Sequence, residues 1–581
     1  MKPIHQTPRI ERMLLLLIMM AGGVGLYFGW RLFWFLTDDA YIAFRYVSNS
    51  LLGHGYVWNA PPFLPVEGYT SFLWVVLLDV VWRVSGVEPP VSANWISLLF
   101  SYGALLLGAV MIMRIRWHNR LMNGRLMFVI LFLVFLLLNR TFLAWTSSGL
   151  ETALFNFLLL LWVYGMLYVS PPCRRLYLAS AAASCLALTR PDGLLFCAAT
   201  AFAALLEAFG KSGNNRPLRV LLSGLLFQSI VLAHLAWRIS FYHDLLPNTY
   251  YAKVTGIWPE SGFLYLLSFT LEYALWFAFI LIFLALYRVR AEKKHPGFGK
   301  SPPEQSTPKT ANITVMSAAP LLVIGTLLFH MGYYTCVVGG DHFEFRVYSH
   351  LLPLTFIALA WSLNRLRLNS VPAMATALVF VLLSLPVPWT HWALTKDLNT
   401  RDEAHMMRVP VAPAWPAAFR WYARIFDDAQ SWLIYHHVCM RHQEHKVFWK
   451  TQVDTYIPRK DGLRITADEC PVLASGCVGV ASWVLPHVYI IDWLGLNNYI
   501  IARTPPPENL EWRMAHSRRP PPGYLESFQP NVEARDGQVI IRKRKQPMTT
   551  DVINAIERHW IVWLHKPKMT KRNSTPEERD K

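Results

Sequence analysis

The sequence predicts a polytopic, all-α membrane domain followed by a C-terminal soluble α/β domain. Of its 581 residues, 54% are hydrophobic and only 16% are charged, whereas about 25% are charged in a typical soluble protein. Apolar runs of membrane-spanning length recur along residues 1–394, and polar and apolar residues are mixed throughout 395–570. The boundary between the two predicted domains therefore lies near residue 394.

The formal net charge of +18 comes from 55 Lys and Arg residues against 37 Asp and Glu residues. Nucleic-acid binding is one explanation for such a charge, but most of the positive residues lie in short loops between apolar runs and near the end of the chain. Positive residues in such loops mark the cytoplasmic side of a membrane protein. We therefore expect the lipid bilayer, and not a nucleic acid, as a partner.

The apolar runs predict about 11 transmembrane helices, because the longer runs approach the ~20 residues that a bilayer requires. The first run follows Lys2, Arg9 and Arg12 and has no small-residue cleavage site, so we expect a retained span rather than a signal peptide. The longer runs lie at about 13–36, 92–113, 126–145, 150–170, 217–238, 263–288, 316–338 and 372–393, and the shorter ones at about 176–189, 193–209 and 351–365.

The basic loops place the N-terminus and five connections in the cytoplasm, so that residues 37–91 and everything after 394 face the other side. The short run at 70–86 is the uncertain element of this topology. We expect it to be a juxtamembrane or re-entrant helix, because a true crossing would put Arg114, Arg116 and Arg120 outside.

Two adjacent carboxylates, Asp38 and Asp39, follow the first predicted span in what we expect to be a catalytic outer loop, 37–91. Carboxylates at the mouth of a span are expensive to desolvate, so a chain that has them there usually uses them for chemistry or for an ion. Capping of a helix N-terminus is the alternative interpretation, and Arg45 could then be their ion-pair partner. One cap, however, requires only one carboxylate.

Further polar clusters adjoin other predicted span ends, and the predicted topology places all of them on the same side as Asp38 and Asp39. Arg190 and Asp192 stand out, because an Arg and an Asp beside a proline interrupt a long apolar region. The clusters contain Glu67 and Tyr69, Glu151, Arg190 and Asp192, Asn248, Tyr251 and Lys253, and Asp341, His342 and Arg346.

The chemistry that suits this set is transfer of a sugar from a lipid phosphate. A polyprenyl-phosphate leaving group needs cations near its oxygens, for which Arg190, Lys253 and Arg346 are candidates. Asp38 or Asp39 is the candidate base for the incoming hydroxyl. Direct attack opposite the phosphate would invert the anomeric configuration. The rest of the polar set is predicted to bind the donor, namely Arg45, Glu67, Tyr69, Glu151, Asp192, Asn248, Tyr251, Asp341 and His342.

No cofactor is expected for this reaction. Fixed cations can stabilise a monophosphate leaving group, so a metal is not demanded, although Asp38 and Asp39 could hold a divalent ion. The sequence contains no phosphate-binding Gly-Lys-Thr loop, no dinucleotide fingerprint and no zinc-ligand spacing. A nucleotide-sugar enzyme is therefore disfavoured.

The C-terminal region has three notable segments. Val478 to Ile491 is apolar and alternating and is typical of buried strands. Residues 552–564 have the period of an amphipathic helix that could dock on its own domain or lie on a membrane. Residues 571–581 are predicted to be a disordered tail, and Cys470 and Cys477 either form a disulfide or stay reduced.

Six motifs carry a resemblance to a known family: DDAYIAFR (38–45), GHGYVWN (53–59), EGYT (67–70), GLET (149–152), TRPDG (189–193) and DWLGLN (492–497). The series resembles that of the terminal arabinofuranosyltransferases of mycobacterial cell walls and their proteobacterial relatives, which include flagellar motor control proteins. These belong to the GT-C superfamily of multi-spanning glycosyltransferases. The resemblance covers about residues 30–532.

The resemblance implies a donor such as decaprenyl-phosphoryl-arabinofuranose, an envelope glycan or glycoprotein acceptor, and a site on the outer face of a bacterial inner membrane. It implies a catalytic aspartate in the first outer loop, corresponding here to Asp38 or Asp39. It also implies that the C-terminal domain contributes to the acceptor side, for which Asp492, Asn497 and His516 are the candidates.

Two other classes of function remain open at this stage. One is a non-catalytic membrane scaffold related to flagellar motor control, whose phenotype should survive replacement of both aspartates. The other is a transporter for lipid-linked sugars. A transporter would need charged residues along a path through the spans, whereas here the predicted topology gathers them at one end.

Overall fold

The computed structural model describes residues 9–209, 217–253, 256–294, 318–400, 403, 409–466, 470–507, 511–544 and 546–566. The predicted tail at 571–581 lies outside these ranges. The described chain is mainly helical throughout, with four short strands that all lie after residue 470.

The helices up to residue 395 include all the candidate membrane spans of the described chain. Their bounds are α1 Arg9–Leu32, α2 Asp38–Leu51, α3 Phe72–Ser85, α4 Pro89–Met113, α5 Asn119–Met122, α6 Arg125–Leu137, α7 Arg140–Ala144, α8 Thr152–Tyr168, α9 Pro172–Thr189, α10 Leu194–Phe209, α11 Pro217–Leu225, α12 Gln228–Tyr242, α13 Asn248–Lys253, α14 Pro259–Glu272, α15 Leu275–Lys294, α16 Ala318–Tyr333, α17 Leu351–Arg365, α18 Ser370–Leu383 and α19 Pro386–Thr395.

Five helical segments of the described chain are long and apolar enough to cross a membrane, and seven if two bent helix pairs each count as one span. The pairs are α11 with α12, bent by 48°, and α14 with α15, bent by 90°. This confirms a multi-pass membrane protein. The count of 11 stays a prediction, because several predicted runs form shorter helices, such as α6 and α8.

The predicted span at 263–288 is wrong in one respect, since it is not a single straight helix. The chain turns between α14 and α15 at Tyr273 and Ala274, where Ala274 adopts the left-handed conformation with φ of 47°. The α3 helix has 14 residues, about 21 Å at the usual rise, which is less than the ~30 Å of a bilayer core. Its predicted juxtamembrane or re-entrant position stays a prediction.

The region after residue 395 contains helices and two small sheets. Strand β1 pairs with β2 in parallel, with Val472 opposite Tyr489, and β3 pairs with β4 antiparallel, with Val532 opposite Ile541. The bounds are α20 Arg420–Tyr435, α21 His442–Thr455, α22 Arg459–Gly462, β1 Val472–Ser475, α23 Gly479–Val484, β2 Tyr489–Asp492, α24 Tyr499–Arg503, α25 Tyr524–Ser527, β3 Val532–Arg535, β4 Gln538–Ile541 and α26 Thr550–His565.

The strand prediction for Val478 to Ile491 is wrong for its first half. Residues Gly479–Val484 form the helix α23, and only Tyr489–Asp492 is a strand. All six residues of α23 are buried. A short run that is buried on every side has no period that distinguishes helix from strand.

The predicted amphipathic helix is present as α26 and docks on its own chain. Its buried residues Ile553 and Trp560 join a cluster with Phe63 and Tyr524. The rings of Trp560 and Tyr524 meet edge to face with centroids 5.1 Å apart. No disulfide joins Cys470 to Cys477 in the structure.

The region after residue 395 is attached to the helices before it by buried contacts as well as by the chain connection. Arg45 on α2 donates to the carbonyl oxygens of Ser482 and Leu485, both at 2.9 Å, although these residues lie more than 400 positions later in the sequence. Phe343 forms an isolated parallel bridge with Met440. The bridge places the segment before α21 against the loop 339–349, and a cavity lies beside that loop.

Candidate active site

A cavity of about 500 Å³ lies between the start of α2, the loop after α9, the α13 helix and the loop 339–349. This volume is within the usual range for ligand sites, roughly 300–1,000 Å³. Nine of the side chains predicted from the sequence line it, namely Asp39, Tyr69, Glu151, Arg190, Asp192, Lys253, Asp341, His342 and Arg346.

Asp39 reaches the cavity from the first turn of α2. The Thr37 hydroxyl caps this helix by accepting from the Ala40 amide at 3.1 Å. Gly149 lets the next loop pass close by, since a Cβ at Gly149 would lie 2.7 Å from that of Ala40. Within the described chain, the Asp39 carboxylate makes no hydrogen bond and no ion pair. It is therefore available to a ligand.

Asp38 points the other way and does not line the cavity. Its two carboxylate oxygens accept from the backbone amides of Gly479 and Val480 at 3.0 and 2.8 Å, so that it caps α23. Burial raises the pKa of Asp38 to about 6, against the opposing effect of these two amides. Asp38 thus caps a helix N-terminus, which was the alternative interpretation of the two aspartates. The helix it caps, however, begins more than 400 residues later in the sequence.

The two aspartates do not act together as a metal pair in this arrangement. Both oxygens of Asp38 are occupied by amides, and Asp39 faces the cavity. The described residues contain no group of three or more His, Cys, Asp and Glu side chains that could hold a metal ion.

Arg190 is held in a network on one wall of the cavity. It lies 3.2 Å from Glu151 and 3.2 Å from Asp192, and donates to the Tyr334 hydroxyl at 2.8 Å. Tyr334 in turn donates to Asp192 at 2.9 Å, and His330 also contacts Asp192 at 2.9 Å. Two carboxylates and a hydroxyl thus already satisfy this guanidinium.

Arg346 and Asp341 form a second pair on the loop 339–349. The Arg346 guanidinium contacts both carboxylate oxygens of Asp341, at 2.7 and 3.1 Å. Burial lowers the pKa of Arg346, but the charge and hydrogen bonding of Asp341 together with the charge of Glu151 outweigh burial and raise it. Glycines 339 and 340, both at positive φ, start the loop that carries the pair.

Lys253, at the end of α13, is the cavity cation without an ion-pair partner among the described residues. Burial lowers its pKa, and the charge of Asp39 opposes that shift. The two groups are therefore near enough to influence each other, and both lack a fixed partner. This is the part of the cavity where a ligand would complete the charge pairing.

Comparisons with known proteins agree with the resemblance seen in the motifs. No protein-family model matches the chain. The chain is 30% identical over 292 residues to the terminal β-(1→2)-arabinofuranosyltransferase of Mycobacterium tuberculosis, covering 47% of this chain and 44% of that protein. It is 26% identical over 578 residues to the protein of the same name from Corynebacterium glutamicum, covering 89% of this chain and 79% of that protein. The chain is a distant homologue of these arabinofuranosyltransferases.

The match thus spans less than half the length of the Mycobacterium tuberculosis relative. Among solved structures, ArnT from Cupriavidus metallidurans bound to undecaprenyl phosphate matches with a TM-score of 0.49 and 11% sequence identity, covering 82% of this chain and 85% of that chain.

Four predicted donor-side residues of this arabinofuranosyltransferase homologue lie outside the cavity wall. Arg45 is saturated by carbonyl oxygens, including that of Trp58 at 2.9 Å, and burial lowers its pKa to about 9. Glu67 pairs with Arg238 at 2.6 Å. The remaining two are Asn248, which binds the backbone of 495–498, and Tyr251, whose ring lies against Arg503.

The three predicted acceptor-side residues also lie outside the cavity wall. Asp492 closes the turn after β2 by accepting from the amides of Leu494 and Asn497 at 3.0 and 2.9 Å. Asn497 packs against Gly68, where a Cβ would be only 1.7 Å from its side-chain oxygen. His516 lies closest to the site, with its ring 5.2 Å from that of His342.

Sequence reasoning missed His330 and Tyr334, which line the cavity with Asp192. Both belong to the apolar run predicted at 316–338, where their spacing of four residues puts them on one helix face. An imidazole and a phenol at that spacing inside a span were the available signal. Polar groups in a span usually face other protein groups or a cavity.

Proposed function

We propose that the chain is an inverting glycosyltransferase of the GT-C type that moves a sugar from a polyprenyl-phosphate donor to a hydroxyl of an envelope glycan or glycoprotein. The observation that best supports the proposal is that two charged side chains in the cavity have no ion-pair partner in the described chain. Asp39 and Lys253 line the same 500 Å³ space and neither has a fixed partner in the described chain. A base and a cation that line one cavity without fixed partners suit an incoming hydroxyl and a leaving phosphate.

Asp39 is the proposed base. It accepts the proton of the acceptor hydroxyl while the hydroxyl oxygen forms a bond to the anomeric carbon. The bond from that carbon to the phosphate oxygen breaks, and its electron pair leaves with the polyprenyl phosphate. Because attack comes opposite the leaving group, the anomeric configuration inverts and no covalent enzyme intermediate forms.

Lys253 and Arg346 are the proposed phosphate-binding cations. Lys253 can pair fully with the phosphate, and Arg346 can share its guanidinium between Asp341 and the phosphate. Arg190 has less to offer directly, since Glu151, Asp192 and Tyr334 already surround it. Its proposed task is to fix the wall of the cavity.

The lipid part of the donor fits the apolar side of the cavity. Leu194 on α10 and Phe329 on α16 line the cavity, and they are 50% and 65% exposed. Both helices belong to candidate spans. A polyprenyl chain in the bilayer could therefore reach the polar end of the cavity between them.

The sugar proposed is arabinofuranose, because the Corynebacterium glutamicum relative, matched over 89% of this chain, is named for that transfer. The proposed location is a bacterial inner membrane with the cavity and the C-terminal region, 395–570, outside the cytoplasm. This arrangement follows from the basic loops of the sequence. The division into domains at about residue 394 belongs to the same proposal.

The test is mass spectrometry of envelope glycans and polyprenyl-phosphate sugars from a strain in which the gene is deleted. We expect loss of one terminal sugar and accumulation of its lipid donor, both reversed by the wild-type gene and not by one encoding Asp39→Asn. Unchanged glycans, or full complementation by the Asp39→Asn gene, would contradict an enzyme and favour the scaffold.

A further inference from the structure

His342 shares the loop 339–349 with the Asp341–Arg346 pair and lines the cavity. Its Nδ1 lies 2.7 Å from the carbonyl oxygen of His437. A carbonyl oxygen can only accept, so Nδ1 must carry the proton and donate it. In a neutral imidazole the other nitrogen, Nε2, then bears a lone pair.

The ring of His342 is held neutral by its surroundings. Two more imidazoles pack against it, His445 with its centroid at 5.3 Å and His516 at 5.2 Å. Burial, followed by these two histidines, lowers the pKa of His342 well below its ordinary value. Burial also lowers the pKa values of His445 and His516, and the charge of Asp39 opposes that shift in both.

This tautomer decides what kind of group His342 can bind. A lone pair on Nε2 would repel the oxygens of a phosphate, which are themselves acceptors. The same lone pair accepts a hydrogen bond from a hydroxyl. His342 therefore fits the donor phosphate, for which the sequence suggested it, less well than a polyhydroxylated ligand.

The position of the histidines agrees with that distinction. His445 lies on α21 and His516 in the segment before α25, so both come from the C-terminal region. Trp512 of the same segment lines the cavity and stacks on Trp258 at 4.6 Å. Ligand pockets are typically lined by aromatic side chains together with a few polar groups that fix the orientation of the ligand, and Trp512 and His342 fit that description.

We propose that His342 belongs to the acceptor side of the site, where its Nε2 accepts a hydrogen bond from a hydroxyl of the acceptor sugar and so holds that sugar against Asp39. His445 and His516 are positioning residues that hold the ring of His342. The inference rests on the proposed function and adds to it the location of the acceptor.

The test compares His342→Ala and His342→Gln with wild type in full-length protein reconstituted in nanodiscs. The probes are radiolabelled decaprenyl-phosphoryl-arabinofuranose as donor and a synthetic octyl arabinofuranosyl disaccharide as acceptor. We expect His342→Ala to raise the acceptor KM about tenfold, the effect of one hydrogen bond, and to leave the donor KM within twofold. The Gln side chain can place an acceptor oxygen near Nε2, so His342→Gln should recover part of the loss. His559→Ala, an exposed imidazole on α26, is the matched control.

The outcomes separate this inference from the proposed function. Wild-type protein that transfers nothing from the donor overturns both. Active wild-type protein in which His342→Ala raises the donor KM instead of the acceptor KM overturns the inference alone and returns His342 to the phosphate side. Variants with both KM values unchanged also overturn it.

Discussion

The loop 339–349 contributes to two groups of charges, which differ in how completely their charges are paired. Asp341, His342 and Arg346 face the cavity, whereas Glu344 faces the interior. In the interior group every charge has a partner of opposite sign. In the cavity group, which also includes Asp39, Arg190 and Lys253, the pairing of the described residues is incomplete. The two groups nevertheless share one loop, in which Asp341 and Arg346 belong to the cavity group and Glu344 to the interior group.

The interior group is a closed ionic network of Arg140, Glu272, Glu344 and Arg441. Glu344 lies 3.2 Å from Arg140 and 3.5 Å from Arg441, and Arg441 makes two contacts of 2.8 Å with Glu272. All four side chains are fully buried. Two positive and two negative charges balance, so this network can hold the loop and α21 together without any ligand.

Among the residues that the structure describes, Asp39 and Lys253 of the cavity group have no fixed partners, while Arg190 and Arg346 are already paired. Buried charges are stable only when they are paired or solvated. A network in which every charge is paired therefore indicates a structural role. A network around a cavity in which some charges are unpaired indicates a binding site, where a charged or polar substrate supplies the missing partners. Predictions that separate the two groups test this distinction.

The largest expected effect is on catalysis. Asp39→Asn should lower kcat by about 10²- to 10⁴-fold, the usual contribution of a general base, with little change in the unfolding midpoint, because Asp39 has no partner to lose. Asp38→Asn is the matched control: it should lower the midpoint by weakening the cap of α23 and change kcat much less. Both values come from transfer assays and thermal unfolding of the purified proteins. An inactive Asp38→Asn protein of normal stability beside an active Asp39→Asn protein would reverse the assignment.

The next effect is on stability. Glu344→Gln should lower the free energy of unfolding by about 3–5 kcal/mol, the cost of leaving buried cations uncompensated. Denaturant unfolding in detergent micelles measures this loss. Asp341→Asn, in the same loop but at the cavity, should cost clearly less, since Arg346 keeps access to the cavity. Equal losses for the two variants would show that the cavity pair is as structural as the interior network.

The sequence predicted many of the residues that line the cavity. It did not show which charged residues face the cavity and which are buried in structural contacts. Adjacent residues on a helix point about 100° apart, so one of Asp38 and Asp39 had to face away from the other. Which one faces the cavity depends on the packing of Gly479, where a Cβ would be 1.8 Å from the Asp38 carbonyl oxygen. No local pattern contains a contact across 441 positions.

The helices and their junctions show the same limit. Apolar runs located most membrane helices, because a run of that length has few other uses. They did not reveal the 90° bend between α14 and α15, since both sides of the bend are equally apolar. The apolar runs also did not show that Glu344 belongs to the buried network and Asp341 to the cavity, because the partners of Glu344, Arg140 and Arg441, come from distant parts of the chain.

The smallest expected effect is on donor binding. Lys253→Met should raise the donor KM roughly 10- to 100-fold, as expected for one hydrogen bond to a charged group, and should leave the free energy of unfolding within about 0.5 kcal/mol, because no ion pair is lost in the free protein. Lys450→Met, an exposed lysine on α21, is the control and should change neither value. Donor titrations at fixed acceptor concentration, with unfolding measured on the same samples, separate the two effects. A loss of stability comparable to that of Glu344→Gln would mean that Lys253 is already paired in the empty cavity. The distinction between unpaired charges at the cavity and fully paired charges in the interior would then be wrong for Lys253.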